Sequence, residues 1–396
     1  MAKPVTSLAD ILAPVTTDEF LADIRYRRPV HIKGDPDKFA GVMSWQSLTD
    51  LVNRGGIWTS NSMQLVLDHR RLEPQEYCAP EMGRDKQQVM APDLGRVRSW
   101  LRQGASMILN DIDGLTPGLK AAAKALEEAL TVKVQANLYC SWEAHPGFGS
   151  HFDTHEVFAL HVAGRKTWRI YGRHFEDPIS HPAFRSLGQE FHDRHKGPVT
   201  QEVTLEPGDL LYIPRGWYHD AIATSEATMH VAFGATGPIG LDLLTPLFER
   251  AVQDPLFRRN VPTGDRAALA AHMAALGERL AGVARDGQLV EAFAAFADNY
   301  RFNRDEIALP GDALTRRYRR APFDMKLAKA KGQIVLTDGK RGVPVPPGAE
   351  RPIQWVLGQE RDFAETDFAA AFPKIPDDQR GKLLRDLAAM EVIQPA

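Results

Sequence analysis

The run Pro207-Gly208-Asp209-Leu210-Leu211-Tyr212-Ile213-Pro214-Arg215-Gly216-Trp217-Tyr218-His219 limits what this chain can fold into more than any other stretch. A Pro-Gly-Asp turn, an apolar run from Leu210 to Ile213 and a Pro-Arg-Gly turn describe a short strand between two tight reversals. His219 then stands at the start of the next strand, facing the mouth of a barrel. Upstream, His151-Phe152-Asp153 offers an imidazole and a carboxylate. Alone that pair is weak, because a chain with this many His and Asp residues should contain about one His-x-Asp by chance. Together the two segments supply two imidazoles and one carboxylate, a set that holds Fe(II) on one octahedral face and leaves the opposite positions open. Open positions mean chemistry at the metal rather than a structural ion.

With 396 residues the chain has room for two or three domains and a sizeable core. Its formal net charge of −3 carries no basic bias, so no general attraction to nucleic acid or to an anionic membrane is expected, and any such contact must be local. Cys78 and Cys140 are the only cysteines and share no zinc-type spacing. Two reduced thiols, no apolar leader after Met1 and no segment of membrane-spanning length lead to the expectation of a soluble, cytoplasmic protein.

Along the chain, Ser44–Val52 has a helical pattern and 116–130 is rich in Ala, Leu, Lys and Glu, a helix by propensity and period. From Val132 to about Gly237 the pattern becomes short runs of Val, Ile, Tyr, Trp and Phe punctuated by Gly, Pro and Asp, which reads as an all-β barrel or sandwich. The predicted strands are 132–139, 156–162, 166–171, 199–205, 210–213 and 228–233. Ten of the thirteen histidines fall between His145 and His230, and such clustering favours a site. Beyond Gly240 the period is helical, with Leu269, Met273, Leu276, Leu280 and Val283 on one face and Leu289, Phe293, Phe296 and Tyr300 on another. Those faces must be covered by the barrel or by a partner subunit, so a homodimer is expected. Residues 301–345 carry eleven Lys or Arg against five Asp or Glu, read as a solvated linker. The apolar run 333–336 lies within it, and the run 352–357 and a final helix bearing Leu383, Leu384, Leu387 and Met390 follow. From Glu350 onward acids outnumber bases nine to six, which argues against a module reading DNA grooves.

The spacing Gly208-x5-Pro214-x-Gly216-x2-His219 resembles the second motif of the cupin superfamily, without the Asn that often follows it there. With Asn137-Leu-Tyr139, His151-Phe-Asp153 and Gly164-Arg-Lys166-Thr-Trp168 in the same order, the chain resembles the JmjC-type 2-oxoglutarate oxygenases, and more closely the ribosomal oxygenases of the cupin-4 group. The resemblance implies an α+β chain built on a double-stranded β-helix (cupin or jelly-roll) barrel. N-terminal helices precede the barrel, and a helical middle segment and a small winged-helix-like domain follow it. The implied domains are 1–238 for the oxygenase, 239–304 for dimerisation and 305–396 for the winged helix. His151, Asp153 and His219 become the Fe(II) ligands, with 2-oxoglutarate and O₂ as cosubstrates. Lys166 falls where many members place a lysine on the barrel wall. 2-Oxoglutarate is a dianion whose far carboxylate needs a charge-assisted bond inside the barrel, whereas an isolated strand lysine would ordinarily face solvent. Asn137 and Tyr139 alternate about Leu138 and share a face; they are either cosubstrate neighbours or a satisfied polar pair in the barrel interior.

The chain departs from the family pattern at His161, where a Gln is common, and at Glu156, where Asp is. Trp142 and His145 replace smaller residues in the loop before the first ligand. The expected activity is hydroxylation of an Arg or His side chain in a ribosomal protein. Nucleic acid is not expected as a partner except through the ribosome or a tRNA. The alternatives are a tRNA-modifying oxygenase served by the basic run around Arg316–Arg320, a non-enzymatic cupin sensor with a winged helix, and a Zn or Mn cupin acting without 2-oxoglutarate. His230 is the nearest rival to His219 as a ligand, but it sits inside a run where an inward core histidine is commoner. The sequence assigns no role to His145, His155 or His161.

Overall fold

The computed structural model describes residues 4–83, 86–142, 149–223, 227–304, 316–321, 325–330, 332–339, 342–359 and 361–396. His145 therefore lies outside the described residues, as does the stretch 305–315 at the start of the expected third domain. The chain divides into two compact units, residues 1–304 and 305–396.

The first unit is built on strands β1 (Val30–Ile32), β2 (Met63–Leu67), β3 (Arg70–Arg71), β4 (Ser106–Leu109), β5 (Lys133–Ser141), β6 (Glu156–Ala163), β7 (Lys166–His174), β8 (Val199–Leu205), β9 (Leu210–Ile213), β10 (Trp217–Ala223) and β11 (Thr228–Thr236). Eight of them form one sheet in the order β1-β9-β6-β11-β5-β4-β2-β3, and a three-stranded sheet, β8-β7-β10, accompanies it. Every pairing within both sheets is antiparallel. Between the sheets, Val157, Ala159, Leu211 and Ile213 meet Trp168, Ile170 and Leu205. The other face of the large sheet contributes Phe158, Leu160, Leu210, Tyr212, Val231 and Phe233 to a larger core shared with the N-terminal elements. β6 and β9 are apolar at nearly every position because both their faces are covered. Burial of each such side chain stabilises the fold by about 1.5–3 kcal/mol.

Helix α1 (Pro117–Leu130) packs on that outer face. Thr116 caps it by accepting from the Leu119 N–H, Pro117 fixes its first turn, and Thr131 ends it in the left-handed region at φ 53°. Leu119, Ala122, Ala123, Leu126 and Leu130 repeat at helical spacing and are all buried. Glu127 is buried too, and accepts from the Arg304 guanidinium (3.0 Å) and from the Val134 N–H (3.0 Å). Arg304 also pairs with Asp113 at 2.7 Å, fastening the end of the helical segment to the barrel. That segment holds α2 (Leu244–Gln253), α3 (Arg266–Ala284) and α4 (Gly287–Asp298). Its apolar stripes are only partly covered: Phe248, Met273, Leu280, Val290 and Phe296 stay exposed.

The second unit has its own core of Tyr318, Ile353, Val356, Phe363, Phe368, Leu384, Leu387 and Ile393. It contains helices Glu350–Leu357, Glu365–Ala371 and Asp377–Ala389 with two small three-stranded sheets. The apolar run 352–357 is therefore helix.

Candidate metal centre

Two glycines shape the double turn before His219. Gly208 has φ +90°, and a Cβ there would lie 1.9 Å from the Asp35 carbonyl oxygen; Gly216 has φ +86°, and its Cβ would lie 2.1 Å from that of Phe175. No side chain fits either position, so the reversals are set by residue type. β10 then begins at Trp217 and pairs with β7, placing His219 opposite Ile170 and Ala223 opposite Lys166. The first candidate segment pairs directly with the second. His151 and His219 exchange backbone hydrogen bonds of 3.0 and 2.8 Å, and the Gly216 N–H donates to the Asp153 carbonyl at 2.9 Å.

This pairing brings one atom each of His151, Asp153 and His219 within 4.8 Å of one another. Each imidazole has its Nδ1 held by a backbone carbonyl, Gly149 for His151 and Trp217 for His219, both at 2.9 Å. A carbonyl only accepts, so Nδ1 carries a proton and Nε2 is left as the ligating nitrogen, as a metal-binding histidine requires. His219 Nε2 lies 3.4 Å from Asp153 Oδ2. Burial, then the nearby His151, lowers the His219 pKa to about 4. Burial opposes ionisation of Asp153, yet the surrounding imidazoles of His155, His219 and His151 bring its pKa below the usual value. Two imidazoles and a carboxylate make a donor set suited to a divalent ion with positions to spare.

The cluster opens into a cavity of about 130 Å³ between the sheets. Period-two alternation decides what lines it. In β5, Val134, Ala136, Leu138 and Cys140 join the outer core, whereas Asn137, Tyr139 and Ser141 face the cavity. In β11, Met229, Val231 and Phe233 go outward, whereas His230, Ala232 and Gly234 line it. Lys166, the first residue of β7, lines it as well and is 9% exposed. Burial lowers its pKa to about 8, and no carboxylate among the described residues forms an ion pair with it. Its Nζ lies 5.9 Å from the Tyr139 ring centre and 6.0 Å from that of Trp168.

His230 is not part of the three-residue cluster. It stacks on Tyr139 with centroids 4.9 Å apart and planes 6° from parallel, edge-on to Trp168, and burial holds its pKa well below the usual value. His161 is buried behind it, giving Nε2 to the Gly164 carbonyl at 2.9 Å. Glu156 pairs with Arg25 at 3.1 Å and accepts from Tyr212 at 2.6 Å. The Ser106 and Ser141 hydroxyls, 2.7 Å apart on the cavity wall, escaped the sequence reading. Extending the alternation from Tyr139 by two residues would have placed Ser141 there.

Residues 117–243, which contain Asn137, Tyr139, His151, Asp153, Lys166 and His219, match the family model described as JmjC domain. Over this segment the chain is similar to JmjC domains. The bifunctional lysine-specific demethylase and histidyl-hydroxylase NO66 of Culex quinquefasciatus is 30% identical over 214 residues, 53% of this chain and 31% of that protein. Ribosomal oxygenase 1 of Gallus gallus is 25% identical over 260 residues, 64% of this chain and 41% of that protein. The chain thus spans well under half the length of these relatives. The X-ray structure of E. coli ycfD superposes with a TM-score of 0.51 at 16% identity, over 96% of this chain and 98% of that one. That likeness is one of fold, and it reaches beyond the JmjC segment to both units.

Proposed function

We propose that this chain is a 2-oxoglutarate- and Fe(II)-dependent dioxygenase that hydroxylates an Arg or His side chain of a ribosomal protein. The observation that carries the reading is the His151, Asp153 and His219 cluster, its imidazoles already in the ligating tautomer, at a cavity whose wall holds the Lys166 ammonium with no carboxylate partner among the described residues. His151, Asp153 and His219 would hold the metal, and Lys166 would anchor the far carboxylate of the cosubstrate. Tyr139 and Asn137 would flank the cosubstrate; burial, and then Asp153, raises the Tyr139 pKa, so the phenol stays a neutral donor. When bound, Fe(II) with 2-oxoglutarate and O₂ supplies the oxidation that inserts one oxygen into a C–H bond, the cosubstrate leaving as succinate and CO₂. The chain's own part is to orient both partners and to exclude water, which the apolar walls Val157, Trp168 and Ala221 serve.

The target class is supported by the names of the relatives, histidyl-hydroxylase and ribosomal oxygenase. A tRNA target draws no support from the basic run: Arg317 and Arg319 donate to Asp362 and Arg320 to the Leu357 carbonyl, so each is engaged within its own unit. We further assign 1–238 to catalysis, 239–304 to homodimerisation through its exposed apolar side chains, and 305–396 to a winged-helix-like accessory domain. A cytoplasmic location is supported by two buried free thiols, and no helix among the described residues is long and apolar enough to cross a membrane. Incubation with ribosomal proteins, Fe(II), 2-oxoglutarate and air, followed by intact-mass spectrometry, tests the assignment. One protein should gain one oxygen atom on an Arg or His; modification of RNA instead would redirect it.

A further inference from the structure

Two cavities of the first unit meet at one residue outside the ligand set, His155. It lines the metal cavity and also an outer groove of about 360 Å³ shared with Tyr26, Thr154, Asp177, Arg215 and Ile239. Its ring presses on the backbone of Gly234, where any Cβ would fall 2.8 Å from Cε1 and 3.1 Å from Nε2. A glycine at 234 is therefore what gives the imidazole its seat. The other ring nitrogen, Nδ1, lies 3.1 Å from the Glu156 carbonyl oxygen and must donate to it. With Nδ1 the donor, Nε2 is the ring's acceptor position, and it has no hydrogen-bond partner among the described residues. The outer groove adds a further acceptor in the Thr154 hydroxyl, while its Asp177 carboxylate is paired with Arg215 at 2.6 Å.

We infer that His155 is the specificity-determining residue of this site: its Nε2 accepts an N–H from the target side chain as that side chain passes from the outer groove to the metal. The inference rests on the hydroxylase reading and names the residue of this chain that would select its target side chains, guanidinium or imidazole, by their N–H donors. An apolar side chain would leave Nε2 desolvated and unpaired, the kind of mismatch that discriminates most strongly between substrates.

The test is binding of fluorescent ribosomal-protein peptides with a central Arg or His, and of the same peptides with Leu at the centre, to full-length protein loaded with Mn(II) and 2-oxoglutarate. The wild type should prefer one N–H-bearing peptide over its Leu version by about tenfold, the worth of one buried hydrogen bond. His155→Leu should abolish that preference. His155→Gln, which keeps an acceptor oxygen, should restore most of it and shows that loss in the Leu variant is not misfolding. A His155→Leu protein that discriminates as the wild type does overturns the inference and leaves the hydroxylase reading standing. A wild type that binds none of the peptides removes both.

Discussion

At the residue scale, the sharpest division of labour is between the three clustered donors and Lys166. Asp153→Ala removes the only carboxylate of the cluster and should abolish stoichiometric Fe(II) binding, read by metal analysis after anaerobic desalting. Lys166→Met should leave iron bound while weakening 2-oxoglutarate by about 1.5–3 kcal/mol, the range for a hydrogen bond to a charged group, as read by anaerobic calorimetry. Because burial lowers the Lys166 pKa to about 8, its charge is present below that pH and lost above it. Cosubstrate affinity should therefore be flat at neutral pH and fall by up to about tenfold per unit above about pH 8, a slope absent from Lys166→Met. An unchanged slope in that variant would assign the titration to another group. The candidate ligands were legible in sequence because each sits in a motif that dictates its geometry. His155 was not, because its seat depends on Gly234, which is remote in sequence; Ser141 follows from the alternation of Asn137 and Tyr139, but its partner Ser106 does not.

At the scale of elements, alternation and turn chemistry carried most of the barrel. The predicted strands 156–162, 199–205 and 210–213 agree with Glu156–Ala163, Val199–Leu205 and Leu210–Ile213 to within a residue. Trp217–Ala223 was legible only at its start, since Asp220 interrupts the apolar pattern; that carboxylate is held by Arg169 at 2.7 Å, a partner no local pattern announces. Helix Gln189–His195 has no apolar period to betray it, yet its Gln189 donates to the Ser150 carbonyl at 3.1 Å and fills the space over Gly149, bracing the segment that carries His151. The buried joint of Arg304 with Glu127 and Asp113 makes a separate prediction. Arg304→Met strands two carboxylates and should cost about 3–5 kcal/mol, seen as a lower denaturation midpoint in urea. A change below about 1 kcal/mol would mean that water satisfies the acids and that the joint is not a structural fastening.

At the scale of the molecule, the first unit presents apolar side chains on α2, α3 and α4 that the barrel does not cover. A second copy covering them should make the protein a dimer in solution, and Phe248→Glu combined with Met273→Glu should shift it to monomer by light scattering without altering its circular dichroism. A wild type that is monomeric at micromolar concentration would instead assign those faces to another partner. The apolar stripes of the helical segment were legible as faces that need a cover, whereas their period does not say what covers them. The most direct measurement is succinate release from 2-oxoglutarate by the purified protein with Fe(II) and ascorbate under air, with and without ribosomal proteins, beside His219→Ala. Turnover that rises with ribosomal protein and vanishes in His219→Ala is the predicted result. Iron-loaded protein that neither binds nor consumes 2-oxoglutarate would contradict the dioxygenase assignment.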